Sequence, residues 1–292
     1  MSHFTVLVIG DKIEEQLAPY DENMEMEPYK RRVDVPYLQE LARSAQVRVP
    51  ADSDRPDPED IAAVVRYYEE DAEQDEEGWY TWSTYNPDSK WDYWRIGGRW
   101  GGNFILKPGR QGYTAEIAWE KTFHDADNQI PAGHCDQALK GNIDFAAMDA
   151  EARAHAAQRW SAMEAAVAGL PVAESWDEVR ARIPDIEAAR DFYAGQPMVR
   201  ALREARLERF SGPDEISDLK LGREAYLDRE VQQGWAPYAM LQGGIWQAPG
   251  KMGWFGMSSE APDEFAAWCA EVRSVVMTLP DDVLLTMCDL HI

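Results

Sequence analysis

From Phe4 to Gly10 the chain reads FTVLVIG, a continuous, largely β-branched apolar run closed by glycine, which predicts a strand buried on both faces in the middle of a sheet. The closing stretch DDVLLTMCDLHI predicts a second, largely apolar strand. Between them the pattern changes several times. APYDENMEMEPYKRR is polar and acidic with prolines, a loop, and PYLQELARSAQ is a short helix. DPEDIAAVVRYYEEDAEQDEEG predicts a better helix, with Asp57 as N-cap, Pro58 at the first helical position and Gly78 as its stop. Its acidic tail EEDAEQDEE reads as a solvated helix end, with a cation site as the sharper alternative. NFILK and GYTAEIAWE alternate or run apolar between glycines, suggesting a hairpin or meander.

From about Ile143 to Gln233 alanine, arginine and glutamate dominate. Met148, Ala152, His155, Trp160, Met163 and Val167 fall at helical spacing, His155 reads as a core histidine, and Gly169 looks like a helix stop. Four or so helices are expected there. The sheet signal returns in PYAMLQGGIWQ, and DEFAAWCAEVRSVVMTLP carries Phe265, Trp268, Cys269, Val272, Val275, Val276 and Leu279 on one stripe of an amphipathic helix. Strand, helices, sheet, helix, strand is the order of an α+β fold. With the helices removed, the remainder resembles a split βαβ arrangement, an antiparallel or mixed sheet in which the first and last strands lie side by side. The expected organisation is an α+β core from residues 1–142 and 234–292, with a helical insertion over 143–233.

Charge narrows the function classes. At a net −24 the surface repels phosphate backbones, which disfavours direct nucleic-acid binding and leaves any anionic ligand to a local basic pocket. Cys135, Cys269 and Cys288 are widely spaced and form no CxxC pattern, so neither a disulfide framework nor a cysteine-rich zinc site is suggested, and a reducing cytoplasm fits. The opening lacks a basic n-region, and no stretch approaches the ~18 consecutive apolar residues of a membrane span. No membrane partner is expected.

Candidate chemistry concentrates in STYNPDSKWDYWRIGGRWGGNF, residues 83–104. Lys90, Arg95, Arg99, Lys107 and Arg110 outnumber Asp88 and Asp92, a local reversal of charge in an acidic chain. Arginine forks suit phosphate or carboxylate, and flat aromatic faces suit a base or sugar. Gly97, Gly98, Gly101 and Gly102 allow close backbone approach or simply a tight turn. The spacing is not a phosphate-loop fingerprint. The structural alternative is a turn at Pro87 and Asp88 with Trp91, Trp94 and Trp100 as core aromatics. Gly243-Gly244-Ile245-Trp246 echoes Gly97-Gly98-Arg99-Trp100, by coincidence or as a pseudo-repeat. If the two segments face each other, Trp246, Trp254, Phe255 and Met257 supply a second pocket wall and Ser258 and Ser259 its hydrogen bonds.

Antiparallel pairing of the chain ends would bring His3 to His291, with Asp289 on the same face by the two-residue period, a group able to act as an acid/base pair or to take a divalent metal. His124, His134 and Cys135 share a glycine-containing loop but lack an evident fourth zinc ligand. No GxSxG elbow is present.

Four stretches, MSHFTVLVIGD…EEQLAPYDEN, STYNPDSKWDYWRIGGRW, DQALKGNID and GKMGWFGMSSE…LPDDVLLTMCDLHI, together resemble a family of proteins of tailed bacteriophages and prophages. The resemblance covers most of the chain but is thin across the helical segment. It implies a phage accessory protein in the bacterial host cytoplasm, possessing no implied activity and no implied cofactor. The leading expectation is a small-ligand binder whose pocket is formed by Tyr85, Asn86, Lys90, Trp91, Arg95, Arg99 and Trp100, taking an anionic, nucleotide-like molecule, with counter-defence as one use. The alternatives are a metal-dependent hydrolase or transferase acting on a nucleotide or nucleic acid, centred on His3, Asp289 and His291, and an acidic, DNA-mimicking inhibitor of a host protein.

Overall fold

The computed structural model describes residues 3–48, 55–115, 130–209, 213–251 and 259–292. They divide into two compact units, Met1–Ala18 with Tyr93–Ile292, and Pro19–Asp92. In the first unit β1 (His3–Ile9) is followed by a short helix, α1 (Ile13–Leu17), with Leu17 fully buried. The second unit holds β2 (Tyr29–Arg32), α2 (Val35–Arg48), α3 (Ile61–Tyr68), β3 (Glu73–Asp75) and β4 (Gly78–Ser83). The first unit resumes with β5 (Tyr93–Ile96), β6 (Phe104–Ile105), β7 (His134–Cys135) and β8 (Gln137–Leu139). The helices α4 (Phe145–Val167), α5 (Trp176–Arg182), α6 (Ile186–Gly195), α7 (Pro197–Glu204), α8 (Glu215–Leu221) and α9 (Arg223–Gln233) come next. β9 (Ala239–Gln242), β10 (Ile245–Gln247), α10 (Pro262–Thr278) and β11 (Leu284–His291) complete the unit.

The fold is α+β, and the first and last strands pair as their apolar runs lead one to expect. The main sheet of the first unit has the order β10-β9-β1-β11-β5, with β8 also on β11. β1 runs antiparallel to β11, His3 opposite His291 and Ile9 opposite Leu285, and parallel to β9, so the sheet is mixed. Leu7 and Ile9 of β1, Met240 of β9 and Leu285 and Met287 of β11 share one face and pack with Trp268, Val272 and Val276 of α10. Each such fully buried side chain contributes about 1.5–3 kcal/mol. The same period of two places His3, Thr5, Asp289 and His291 at the end of that face beyond the apolar layer.

The helices α4 to α9 number six among the described residues, and Ala156, Trp160, Met163, Val199, Leu202, Ile216, Tyr226 and Leu227 form a hydrophobic cluster of their own. Asp144, Asp185 and Asp214 cap α4, α6 and α8, and Ser175 with Glu178 forms a capping box on α5. Gly169 follows α4 with φ +75°, the left-handed stop its position suggests. His155, expected in the core, is exposed: the buried row runs Met148, Ala156, Trp160, Met163, and Ala156 takes the inward position one residue on. The compact boundary falls at residues 18/19 and 92/93, whereas the sequence drew its boundary round the helices at 143–233.

In the second unit β2-β4-β3 form a sheet, and α2 and α3 meet through Leu38, Ala42, Val64 and Val65, with Trp79 packed against them. The helix expected to reach Gly78 ends at Tyr68, and its N-cap is Asp60, whose side chain accepts the Ala63 N–H, rather than Asp57. Residues 69–77 bring almost no apolar surface to extend the helix. They instead turn back as β3, where Asp75 pairs with Lys30 and Arg32 of β2 at 2.7 and 2.6 Å. The acidic tail is thus the partner of the basic strand YKRR, which the sequence placed in a loop. Among the described residues no helix is long and apolar enough to cross a membrane.

Candidate functional site

The glycine-rich stretch owes its composition to two buried carboxylates. After β5, Gly97 and Gly98 adopt φ of +71° and +65° and carry the backbone directly over Asp136 and Asp289. A Cβ on Gly97 would stand 2.5 Å from Asp136 Cγ, and one on Gly98 2.3 Å from Asp289 Cβ. Asp136 is fully buried, and its carboxylate accepts backbone N–H groups from Gly102 and, at 2.9 Å, from Ala115. Burial raises the Asp136 carboxyl above the ordinary aspartate value, against the lowering effect of those two N–H groups and of the Arg95 charge. The sequence reading missed Asp136. Its one signal was a carboxylate between the strand-forming Cys135 and Ala138, both buried.

Asp289 joins the turn to the sheet ends. Its Oδ2 accepts the Arg99 backbone N–H at 3.0 Å, and its Oδ1 lies 2.9 Å from His3 Nδ1 on the neighbouring strand. A carboxylate only accepts, so His3 Nδ1 carries the proton and Nε2 is the basic nitrogen. The His291 ring lies edge-on to His3 with centroids 4.9 Å apart. His3, Asp289 and His291 therefore come together as the antiparallel register requires. Arg95 stands opposite Asp289 on β5, and Arg99 and Trp100 are exposed on the short 3-10 turn Gly98–Trp100 that follows. A carboxylate-oriented imidazole can exchange a proton with a bound anion or with water.

The seven residues of the expected pocket belong to different units. Arg95, Arg99 and Trp100 lie in the first, and Tyr85, Asn86, Lys90 and Trp91 in the second. Within the second, Asn86 is 2% exposed, donates from Nδ2 to the Pro19 and Asp21 carbonyls at 2.8 and 3.0 Å and accepts the Asp88 N–H, so its amide holds a turn. Trp91 is buried there, Lys90 is half-buried with its backbone N–H donating to the Tyr20 carbonyl, and exposed Tyr85 accepts the Ser89 hydroxyl.

Other candidates fall differently. Both Gly-Gly pairs have positive φ, but Gly243-Gly244 is the turn of the β9–β10 hairpin, and β10 and β5 occupy opposite edges of the sheet, so the two segments do not face each other. Trp254, Phe255, Met257 and Ser258, like His124 and most of GYTAEIAWE, lie outside the described residues, and Ser259 Oγ accepts the Lys251 N–H at 2.9 Å. His134 and Cys135 form β7 rather than a loop, with His134 Nδ1 2.9 Å from the Gly102 carbonyl. Among the described residues no group of three or more His, Cys, Asp and Glu is placed to hold a metal ion. Asp289 in particular directs one oxygen to His3 and the other to Arg99 N–H. All three cysteines are buried and free, and burial pushes the Cys135 and Cys269 thiols up to about 11 and the Cys288 thiol higher still, which makes them poor nucleophiles. No protein-family model, curated protein or solved structure matches the chain.

Proposed function

We propose that the chain binds a small phosphate-bearing, nucleotide-like anion at the Arg99–Trp100 turn and that His3, oriented by Asp289, serves as the acid or base acting on it. One observation carries this reading: a single carboxylate, Asp289, holds both the imidazole at 2.9 Å and the N–H of Arg99 at 3.0 Å. The turn that presents a guanidinium and an indole to solvent is thereby tied to a proton-transfer group. Arg99 would supply charge and forked donors, Trp100 a stacking face, and His3 Nε2 the proton exchange. In the phage setting that the sequence motifs suggest, removing or sequestering a nucleotide signal of host defence is the use this chemistry would serve.

The test begins with native mass spectrometry of gently purified protein, followed by phosphorus NMR of nucleoside mono-, di- and triphosphates incubated with it. Arg99→Ala should weaken nucleotide binding by about tenfold or more, as expected for loss of a charge-assisted contact. His3→Gln should leave binding in place and cut turnover by ~10²–10⁴-fold. Unchanged affinity in Arg99→Ala, or unchanged turnover in His3→Gln, would overturn the proposal.

A further inference from the structure

A second concave surface lies on the first unit, away from the glycine turn. Trp246, Gln247, Ala248 and Pro249 form one wall and Glu264, Ala267, Trp268 and Glu271 of α10 the other, around a cavity of about 490 Å³. The four α10 residues fall at i, i+3, i+4 and i+7, one face of the helix. The facing wall begins with β10, the outermost strand of the sheet among the described residues, whose Ile245 is 64% exposed. An outermost strand offers backbone donors and acceptors to an added strand.

The charge on this surface selects the occupant. Glu264 and Glu271 are both exposed. Glu264 accepts the Ala261 N–H at 2.7 Å, and Glu271 makes no hydrogen bond or ion pair among the described residues. Between them Trp268 is buried, its N–H donating to the Pro237 carbonyl at 2.8 Å, and Trp246 turns its ring to Phe4 on the other face of the sheet. Two exposed carboxylates on one helix face favour cationic side chains by ion pairing. Seven helical residues span ~10.5 Å. Alternate side chains of an extended strand are ~7 Å apart, a gap that arginine or lysine arms can close. We infer that this groove docks an extended basic segment of another protein, which adds as a strand beside β10 and directs alternate Arg or Lys side chains to Glu264 and Glu271. The site is independent of the Asp289 centre.

The probe is a fluorescein-labelled heptapeptide alternating valine and arginine, read by fluorescence anisotropy at about 0.15 M salt, where long-range attraction to the acidic surface is screened. Its partners are the same peptide with glutamate for arginine, and one N-methylated at alternate backbone nitrogens. Glu264→Gln/Glu271→Gln should weaken the arginine peptide about tenfold, whereas Glu70→Gln/Asp71→Asn, an equal charge change in the second unit, should weaken it less than about twofold. N-methylation should abolish strand addition. Equal losses in the two double variants, equal binding of the glutamate peptide, or no binding at all would overturn the proposal. So would a stable dimer dispersed by Ile245→Lys in a protein that ignores the peptide, since a second copy would then be the occupant.

Discussion

Replacing Gly98 by alanine isolates what the glycine turn does. Gly98 has φ +65°, and its new Cβ would lie 2.3 Å from both Asp289 Cβ and Asp289 Oδ2, closer than any real contact. The left-handed backbone costs an L-residue about 1–2 kcal/mol, partly offset by ~0.4–1 kcal/mol from a less flexible unfolded chain. Relief of the clash must move the turn off Asp289, which removes the Arg99 N–H bond to a carboxylate that is 1% exposed. Hydrogen bonds to charged groups contribute about 1.5–3 kcal/mol, so the expected total is roughly 1.5–4.5 kcal/mol. Gly109 is the internal control: its φ is +73° and nothing lies within 4 Å of its Cβ position. Gly109→Ala, which keeps only the backbone terms, should lose about 0–1.5 kcal/mol and less than Gly98→Ala. The assay is urea unfolding at neutral pH followed by tryptophan fluorescence and far-UV circular dichroism, with coincidence of the two curves checked first. Equal stabilities of the two variants would refute the close-approach account of the glycines and leave backbone conformation as their only reason.

Two further outcomes follow from the buried ionisable groups. Burial raises the Asp136 carboxyl, so the folded chain holds that proton more tightly than the unfolded one; its contribution is complete below the ordinary value of 3.8 and is lost as pH rises through the folded value. Urea melts across mildly acidic pH should therefore show wild type losing stability with rising pH relative to Asp136→Asn, and parallel curves would contradict the assignment. The thiols of Cys135, Cys269 and Cys288 should resist alkylation by iodoacetamide at pH 8 in the native chain and react once unfolded, as mass spectrometry would show; rapid native labelling of any one would contradict its burial.

What the sequence disclosed depended on whether the relevant forces were local. β1 and β11 were legible because unbroken apolar runs have few other places to go, and α10 because its stripe repeats at helical spacing. The approach of His3 to Asp289 then followed from register alone, diagonal neighbours on one face of an antiparallel pair. β2 and β3 were not legible, since YKRR and EQD have no apolar period and meet through ion pairs formed across some forty residues. Asn86 looked like a ligand residue by composition but carries the buried hydrogen bonds of a turn, which only its three-dimensional neighbours reveal. Asp136 escaped notice because its glycine partner, Gly97, is 39 positions earlier, and nothing in either stretch names the other.

The sheet order also sets a schedule for synthesis. β1 is made first, yet both strands that flank it, β9 at Ala239–Gln242 and β11 at Leu284–His291, are made more than two hundred residues later. On the ribosome the apolar segment Phe4–Ile9 therefore stays without its sheet neighbours while the Pro19–Asp92 unit and the α4–α9 cluster can already close on themselves. The nascent chain needs protection at β1 until β9 and β11 have been made, and products truncated before β9 would expose that strand and aggregate.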